Sequence, residues 1–238
     1  MKEVVERLIG GLVVSCQAYE DSPLYGSENM ARMGQCAEVG GAAGIRACWP
    51  QDIRAVREVT SLPIVGINKR FGDGDPLDDI FITPTIDSAC EVIEAGCDIV
   101  GIDCTIRPMR SRDDLVTLLR AVRAQYPNIA IMADLATVDE AVFAAETGCV
   151  DIISTTLAGY TRQSQDRICE GPDLITLREV KAAVDLPVNG EGRIWELADL
   201  DEVIAAGADI VTIGSAITRP NLITERFVTE NRRCRSAS

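Results

Sequence analysis

Short β-branched apolar runs alternate along this chain with longer stretches whose apolar residues recur at helical spacing. The runs are GGLVVSCQ, GAAGIRA, LPIVGINK, DIVGIDCT, NIAIMADLAT, DIISTTL, LPVNGEGR and ADIVTIGSA, eight in all. Between them the pattern predicts helices over SENMARMGQCAEVG, PQDIRAVREVT, DSACEVIEAG, DDLVTLLRAVRAQY, TVDEAVFAAETG, DLITLREVKAAV, ELADLDEVIAAG and PNLITERFVTENRR. Several open on Ser, Asp, Thr or Pro and close on Gly, the residues that satisfy the unpaired backbone groups at helix ends. A strand followed by a helix, repeated, describes a parallel sheet.

The spacing also repeats in pairs. Strands three, five and seven enter through Pro63, Pro127 and Pro187, whereas strands two, four, six and eight follow a glycine at Gly40 or Gly41, Gly96, Gly148 and Gly207. A two-strand module copied four times predicts a single-domain (β/α)8 barrel over residues 1–230, with a polar C-terminal tail over 231–238. The rival, an open doubly wound sheet, would carry a Gly-rich dinucleotide turn after its first strand, and GGLVVSCQAYEDSP has none. Barrel active sites lie at the C-terminal ends of the strands, here Gln17, Arg46, Lys69, Asp103, Asp134, Thr156, Glu191 and Gly214 with Ser215. Polar residues there are costly unless they pair with each other or with a ligand. The longest connections, FGDGDPLDDIFITPT and LAGYTRQSQDRICEGP, follow strands three and six on the same side, where lids and binding loops belong.

Composition narrows the function. With 238 residues, 47% hydrophobic and 25% charged, the chain has the balance of a globular protein with a core of its own. A net charge of -14 disfavours nucleic acid and anionic membranes but leaves room for a small anion held by local arginines. Nine cysteines without a CxxC pair argue for core filling in a reducing cytoplasm rather than disulfides or zinc. The segment MKEVVERLIGG lacks the long apolar region of a signal peptide, and no apolar run approaches the roughly 20 residues that span a bilayer. The acidic loop Asp73, Asp75, Asp78 and Asp79 departs from the calcium-loop pattern at Pro76 and lacks its glutamate, so a solvated loop is expected and no metal.

Histidine is absent, and Lys69 is one of only three lysines beside twenty arginines. Proton chemistry near neutrality must then fall to lysine, carboxylate, cysteine or tyrosine. Lys69 and Glu191, on strands three and seven, face each other across the predicted mouth; they form either an acid/base pair or a structural ion pair. A lysine acting as a base must descend from about 10.4, which burial and nearby Arg46 and Arg70 would favour. GEGR and IGSAITRP, on adjacent strands, each combine glycine with arginine, as phosphate-binding loops do, pointing to Gly192, Arg193, Gly214, Ser215 and Arg219. Asp103 and Asp134 can meet sugar hydroxyls or cap loop N–H groups, and Gln17 and Arg46 complete the ring or pair with each other. Cys16 and Cys104 lack a histidine to activate them and are read as packing.

These strings, SCQA, SPLYGSENMARM, GIRA, KR, ITPT, MAD, STTLAGYT, EGRI and GSAITRP, occur in order over nearly the whole chain, which thereby resembles the N-acetylmannosamine-6-phosphate 2-epimerases. The resemblance implies a phosphosugar-binding barrel that interconverts N-acetyl-D-mannosamine 6-phosphate and N-acetyl-D-glucosamine 6-phosphate in sialic acid catabolism, without a cofactor. It places the catalytic lysine and glutamate on Lys69 and Glu191, substrate contacts on Gln17, Arg46, Asp134 and Arg219, and phosphate-binding glycines on Gly192 and Gly214. Asn68, Asn189, Gly190, Leu135 and Cys104 depart from the family's usual strings and bear on pocket shape. The expected partner is the phosphosugar, with a homodimer compatible with the sequence. Two other classes are open: a Schiff-base aldolase acting through the same lysine, and a non-catalytic phosphosugar sensor, which would keep Arg219 and the glycines but have no need for Lys69 opposite Glu191.

Overall fold

The computed structural model describes residues 1–236. Eight strands, β1 (Leu12–Cys16), β2 (Gly44–Cys48), β3 (Ile64–Ile67), β4 (Ile99–Asp103), β5 (Ala130–Asp134), β6 (Ile152–Ser154), β7 (Val188–Glu191) and β8 (Ile210–Ile213), each fall in one of the eight predicted runs, β2 extending one residue past its run to Cys48. All pair in parallel and in chain order, and β8 returns to β1 through Leu12 opposite Val211, so the sheet closes. Closure excludes the doubly wound alternative and gives the (β/α)8 barrel.

Outside the sheet run α2 (Ser27–Val39), α3 (Pro50–Val59), α4 (Ile86–Glu94), α5 (Arg112–Gln125), α6 (Val138–Glu146), α7 (Leu174–Ala183) and α8 (Leu197–Ala205). Their starts follow from local chemistry: Thr85, Ser111 and Thr137 cap α4, α5 and α6 through reciprocal bonds with Ser88, Asp114 and Glu140. Their ends use glycine where the chain must turn left-handed, as at Gly96 (φ 104°) and Gly207 (φ 101°). Between strands and helices a continuous apolar layer holds Val14, Ile45, Ile102, Leu119, Val180 and Val203.

Periodicity missed three short elements: α1 (Glu3–Glu6), a 3₁₀ turn at Gln165–Arg167, and α9 (Ser215–Thr218) just after β8. The first closes the barrel floor, where Val5 and Leu8 pack on Val13, Val65, Ile99 and Ile210. The last helix, α10 (Pro220–Ser236), runs on through residues assigned to the tail; positions 237 and 238 lie outside the described residues. It buries none of its residues against the barrel, leaving Phe227 exposed, as are Leu197 and Ile204 on α8.

Above the apolar floor the barrel interior turns polar, with Ser15, Arg46, Asp134, Ser154, Asn189 and Thr212 all buried. Gly101 on β4 makes room for this layer, because a Cβ there would meet Ile67 Cγ2 at 2.6 Å, Asp134 Oδ2 at 3.3 Å and Arg46 Nη1 at 3.4 Å. Gly101→Ala should therefore destabilise the protein by about 1–3 kcal/mol through overpacking, read as a lower denaturant midpoint at unchanged slope. A midpoint equal to that of the parent would show that the interior yields at no cost.

Candidate active site

Arg46 is the third of five residues in β2, so it projects into the barrel interior rather than from the strand end where the sequence placed it, and it is 1% exposed. A guanidinium there must be paired. It donates through Nη1 and Nη2 to both carboxylate oxygens of Asp134 on β5, at 3.2 and 2.7 Å. Its Nε has no hydrogen-bond partner and lies 3.5 Å from Glu191 Oε1. Arg46 and Asp134 together form the floor beneath a cavity of about 800 Å³ rather than part of its lining.

Glu191 ends β7 and lines that cavity, its side chain 14% exposed. Thr156 bridges the two carboxylates, with its hydroxyl 2.8 Å from Asp134 Oδ1 and 3.0 Å from Glu191 Oε2. Having one proton, it donates to one of them at a time. Burial pushes the Glu191 carboxyl above the usual range and the neighbouring Asp134 charge adds to this, against the opposing pull of Arg46. Asn189 steadies the arrangement from below: Nδ2 donates to Ser154 Oγ at 2.7 Å and approaches Glu191 Oε2 at 3.4 Å, while Oδ1 accepts from Thr212 at 2.9 Å. Of the three departures flagged beside the acid/base pair, only Asn189 thus touches the site. Asn68 turns outward to Ser88 and Glu91, and a side chain on Gly190 would strike Val203 on α8.

Lys69 stands two residues past β3, in the cavity wall, where Nζ donates to the Tyr19 hydroxyl at 2.6 Å. Gln17, beyond β1, donates to Ser15 Oγ at 2.7 Å, which leaves its Oε1 buried and without a partner. Gly192, Gly214, Ser215 and Arg219 line the side formed by β7, β8 and α9. Arg193 lines it as well, but its guanidinium is committed elsewhere: Nε donates to Gly171 O at 2.9 Å and Nη1 to Ala158 O at 3.0 Å, tying down the loop after β6. That geometry makes Arg193 a support for the loop and leaves Arg219 as the guanidinium of this group available to an anion.

Asp103 does not line the cavity. It is fully buried and accepts from Thr105 N–H and O–H at 3.0 and 2.6 Å, beside Arg107, and its desolvation outweighs these contacts to push the carboxyl up to about 6. It serves the loop, as the more structural of its two readings held. Burial likewise pushes the Cys16 thiol up to about 12 and Cys104 well above its ordinary value, so neither is a nucleophile.

The acidic loop is not simply solvated. Arg162, in the loop after β6, donates to Asp75 Oδ2 at 2.7 Å and to Asp78 at 2.9 and 2.6 Å, clasping the two long loops together. Among the described residues no cluster of His, Cys, Asp and Glu could hold a metal ion, and no helix is long and apolar enough to cross a membrane. Sequence reasoning missed Tyr19, which lines the cavity three residues beyond β1, and Trp49, which follows β2 directly and packs on Tyr19; the rule that loops after barrel strands build the site extends to both.

The family described as "Putative N-acetylmannosamine-6-phosphate epimerase" matches residues 30–233. A protein from Listeria monocytogenes named "Putative N-acetylmannosamine-6-phosphate 2-epimerase" is 40% identical over 95% of this chain and 96% of its own length. A protein of the same name from Caldanaerobacter subterraneus is 41% identical over 95% and 93%. The solved structure of the N-acetylmannosamine-6-phosphate 2-epimerase from Clostridium perfringens superposes with a TM-score of 0.86 at 38% identity, covering 95% of this chain and 96% of that one. A structure described as an aldolase, QR15, superposes at 0.63 with 18% identity and speaks for the barrel alone. With matches of this extent and identity, the chain belongs to the N-acetylmannosamine-6-phosphate 2-epimerase family.

Proposed function

We propose that this protein interconverts N-acetyl-D-mannosamine 6-phosphate and N-acetyl-D-glucosamine 6-phosphate by removing and returning the proton on C2, as a cytoplasmic step of sialic acid breakdown. The observation that carries the reading is that Lys69, just past β3, and Glu191, at the end of β7, line one cavity. The C2 hydrogen of an open-chain N-acyl sugar is acidic because the electrons left behind can move onto the C1 carbonyl oxygen. Lys69, as the free amine, takes this proton and returns it to the opposite face after the enolate rotates; in the two-base form Glu191 gives its proton to that face and exchange with solvent resets both groups. Glu191 is suited to the acid role, since burial holds its proton more firmly than water would. It protonates the ring oxygen as the bond from C1 to that oxygen breaks, recovering a proton from the C1 hydroxyl as the carbonyl forms, or it gives its proton to the second face of C2.

Gly192, Gly214, Ser215 and Arg219 support a phosphate site at the far side of the same cavity. The first-turn N–H groups of α9 and the Arg219 guanidinium would hold the anion and fix C2 relative to Lys69. The unpartnered Gln17 Oε1 is an acceptor for a substrate N–H or hydroxyl. Arg46 and Asp134 act from beneath by holding Glu191. The exposed Phe227, Leu197 and Ile204 support assembly as a homodimer.

Lys69→Ala should lower exchange of the C2 proton in deuterated water by about 10²–10⁴ while N-acetylmannosamine 6-phosphate still binds by calorimetry. Full exchange in that variant would remove Lys69 from the mechanism. Glu191→Gln should abolish turnover yet stabilise the fold in a pH-dependent way. The unfolded carboxyl loses its proton near about 4.3, the folded one at higher pH, so stability held by the protonated group is lost as pH rises through the raised value. The variant has no such proton to lose. Its thermal midpoint should exceed that of the parent at pH 8, with the gap closing toward pH 4; a gap independent of pH would contradict the buried-acid assignment. Sedimentation should give twice the mass of one chain, and a monomer at micromolar concentration would count against the dimer.

A further inference from the structure

Lys69 lies two residues beyond β3, where its backbone bridges to Ile82, but its long side chain keeps several rotatable bonds, so the backbone does not by itself place the amine. Two aromatic residues from neighbouring loops do. Trp49 donates its indole Nε1–H to Lys69 O at 3.0 Å and sets its ring edge-on to Tyr19, with centroids 5.7 Å apart at 81°. Tyr19 in turn receives the Lys69 Nζ–H at 2.6 Å and leans on Phe71 at 6.0 Å, which stacks on Phe81 at 5.3 Å. The Arg219 guanidinium lies 5.4 Å from the centre of the Tyr19 ring. Main chain and amine of Lys69 are thus held by one aromatic unit, whose second member also touches the cation assigned to the phosphate.

We infer that Tyr19 is a positioning residue for the Lys69 amine, acting through a hydrogen bond that persists in both protonation states of the lysine. The inference rests on the reading of Lys69 as the C2 base. The chemistry explains the choice of a phenol. Its oxygen accepts from the ammonium and its O–H donates to the free amine, so the bond survives the gain and loss of the proton. A carboxylate in the same place would only accept and would hold the lysine as ammonium, unable to take a proton. The contact also links the two ends of the cavity, because displacement of the Tyr19 ring would disturb Arg219 as well as Lys69.

Tyr19→Phe removes one oxygen and keeps the contacts to Trp49, Phe71 and Arg219. It should lower kcat and the C2 exchange rate about tenfold with KM within twofold and the thermal midpoint unchanged. A second readout does not depend on turnover: with three lysines in the chain, the ε-CH₂ signals of the ¹³C-labelled protein are few, and the one lost in Lys69→Ala should shift in Tyr19→Phe while those of Lys2 and Lys181 stay. Tyr19→Leu, which removes the ring, should raise KM in addition. Turnover equal to the parent in Tyr19→Phe, or an unmoved Lys69 signal, overturns the inference. If the parent protein itself neither turns over nor exchanges the C2 proton, the proposed function fails, and the Lys69 signal still decides whether Tyr19 holds the amine.

Discussion

One guanidinium inside the barrel is shared by two carboxylates, and the division is unequal. Asp134 takes both terminal nitrogens of Arg46, whereas Glu191 is left with Nε at 3.5 Å. Breaking a buried pair of this kind by removing one partner costs about 3–5 kcal/mol, since the other charge is stranded. The asymmetry matters for chemistry as well as stability. Glu191, desolvated and beside the Asp134 carboxylate, keeps its proton longer than a carboxyl in water, against the pull of Arg46. Burial, with the Asp134 charge beside it, therefore makes Glu191 the group suited to acid chemistry, and its smaller share of Arg46 opposes this only in part.

Everything around the pair is consistent with this constraint. Gly101 withholds a side chain where the guanidinium needs space, and the hydroxyls of Ser154, Thr156 and Thr212 with the Asn189 amide form a connected chain of donors beneath Glu191. A buried polar network rigidifies a site only when its members are satisfied, and here each of these side chains has at least one partner. The barrel contributes the register: Asp134 lies opposite Ser154 and Ser154 opposite Asn189, so strand pairing brings members of this chain of donors to one level.

The fold was readable because parallel strands buried on both faces must be apolar and β-branched, and because DSACEV, SRDDLV and TVDEAV announce helix starts. The candidate site was readable in its strand-end members, Gln17, Lys69, Glu191, Gly192, Gly214, Ser215 and Arg219, which line one cavity. Arg46 was misplaced by its height in the barrel, since a run such as GAAGIRA does not reveal how far strand stagger carries each residue up or down the interior. Arg193 was misjudged in direction: it has φ of 57°, and its guanidinium is used by two loop carbonyls that lie about 22 and 35 residues away in sequence. The clasp between the acidic loop and Arg162 was illegible for the same reason. Local pattern names the residue, and only the closed sheet names its neighbour.

That clasp gives the two long loops a definite place in the chemistry. The enolate made from C2 and the C1 carbonyl is short-lived where water can reach it, and the loops carrying Gly72 to Asp79 and Leu157 to Ile168 form part of the cavity wall. Arg107 adds a buried anchor through the carbonyls of Pro76 and Asp79. The pairs of Arg162 with Asp75 and Asp78 are different in kind, being about half exposed. Exposed pairs are worth about 0–1 kcal/mol each, so they add little to the cost of parting the two loops. A phosphosugar must enter and an epimer must leave beside these loops, and the difference between the surface pairs of Arg162 and the buried bonds of Arg107 makes the tie between the loops the weaker of the two attachments.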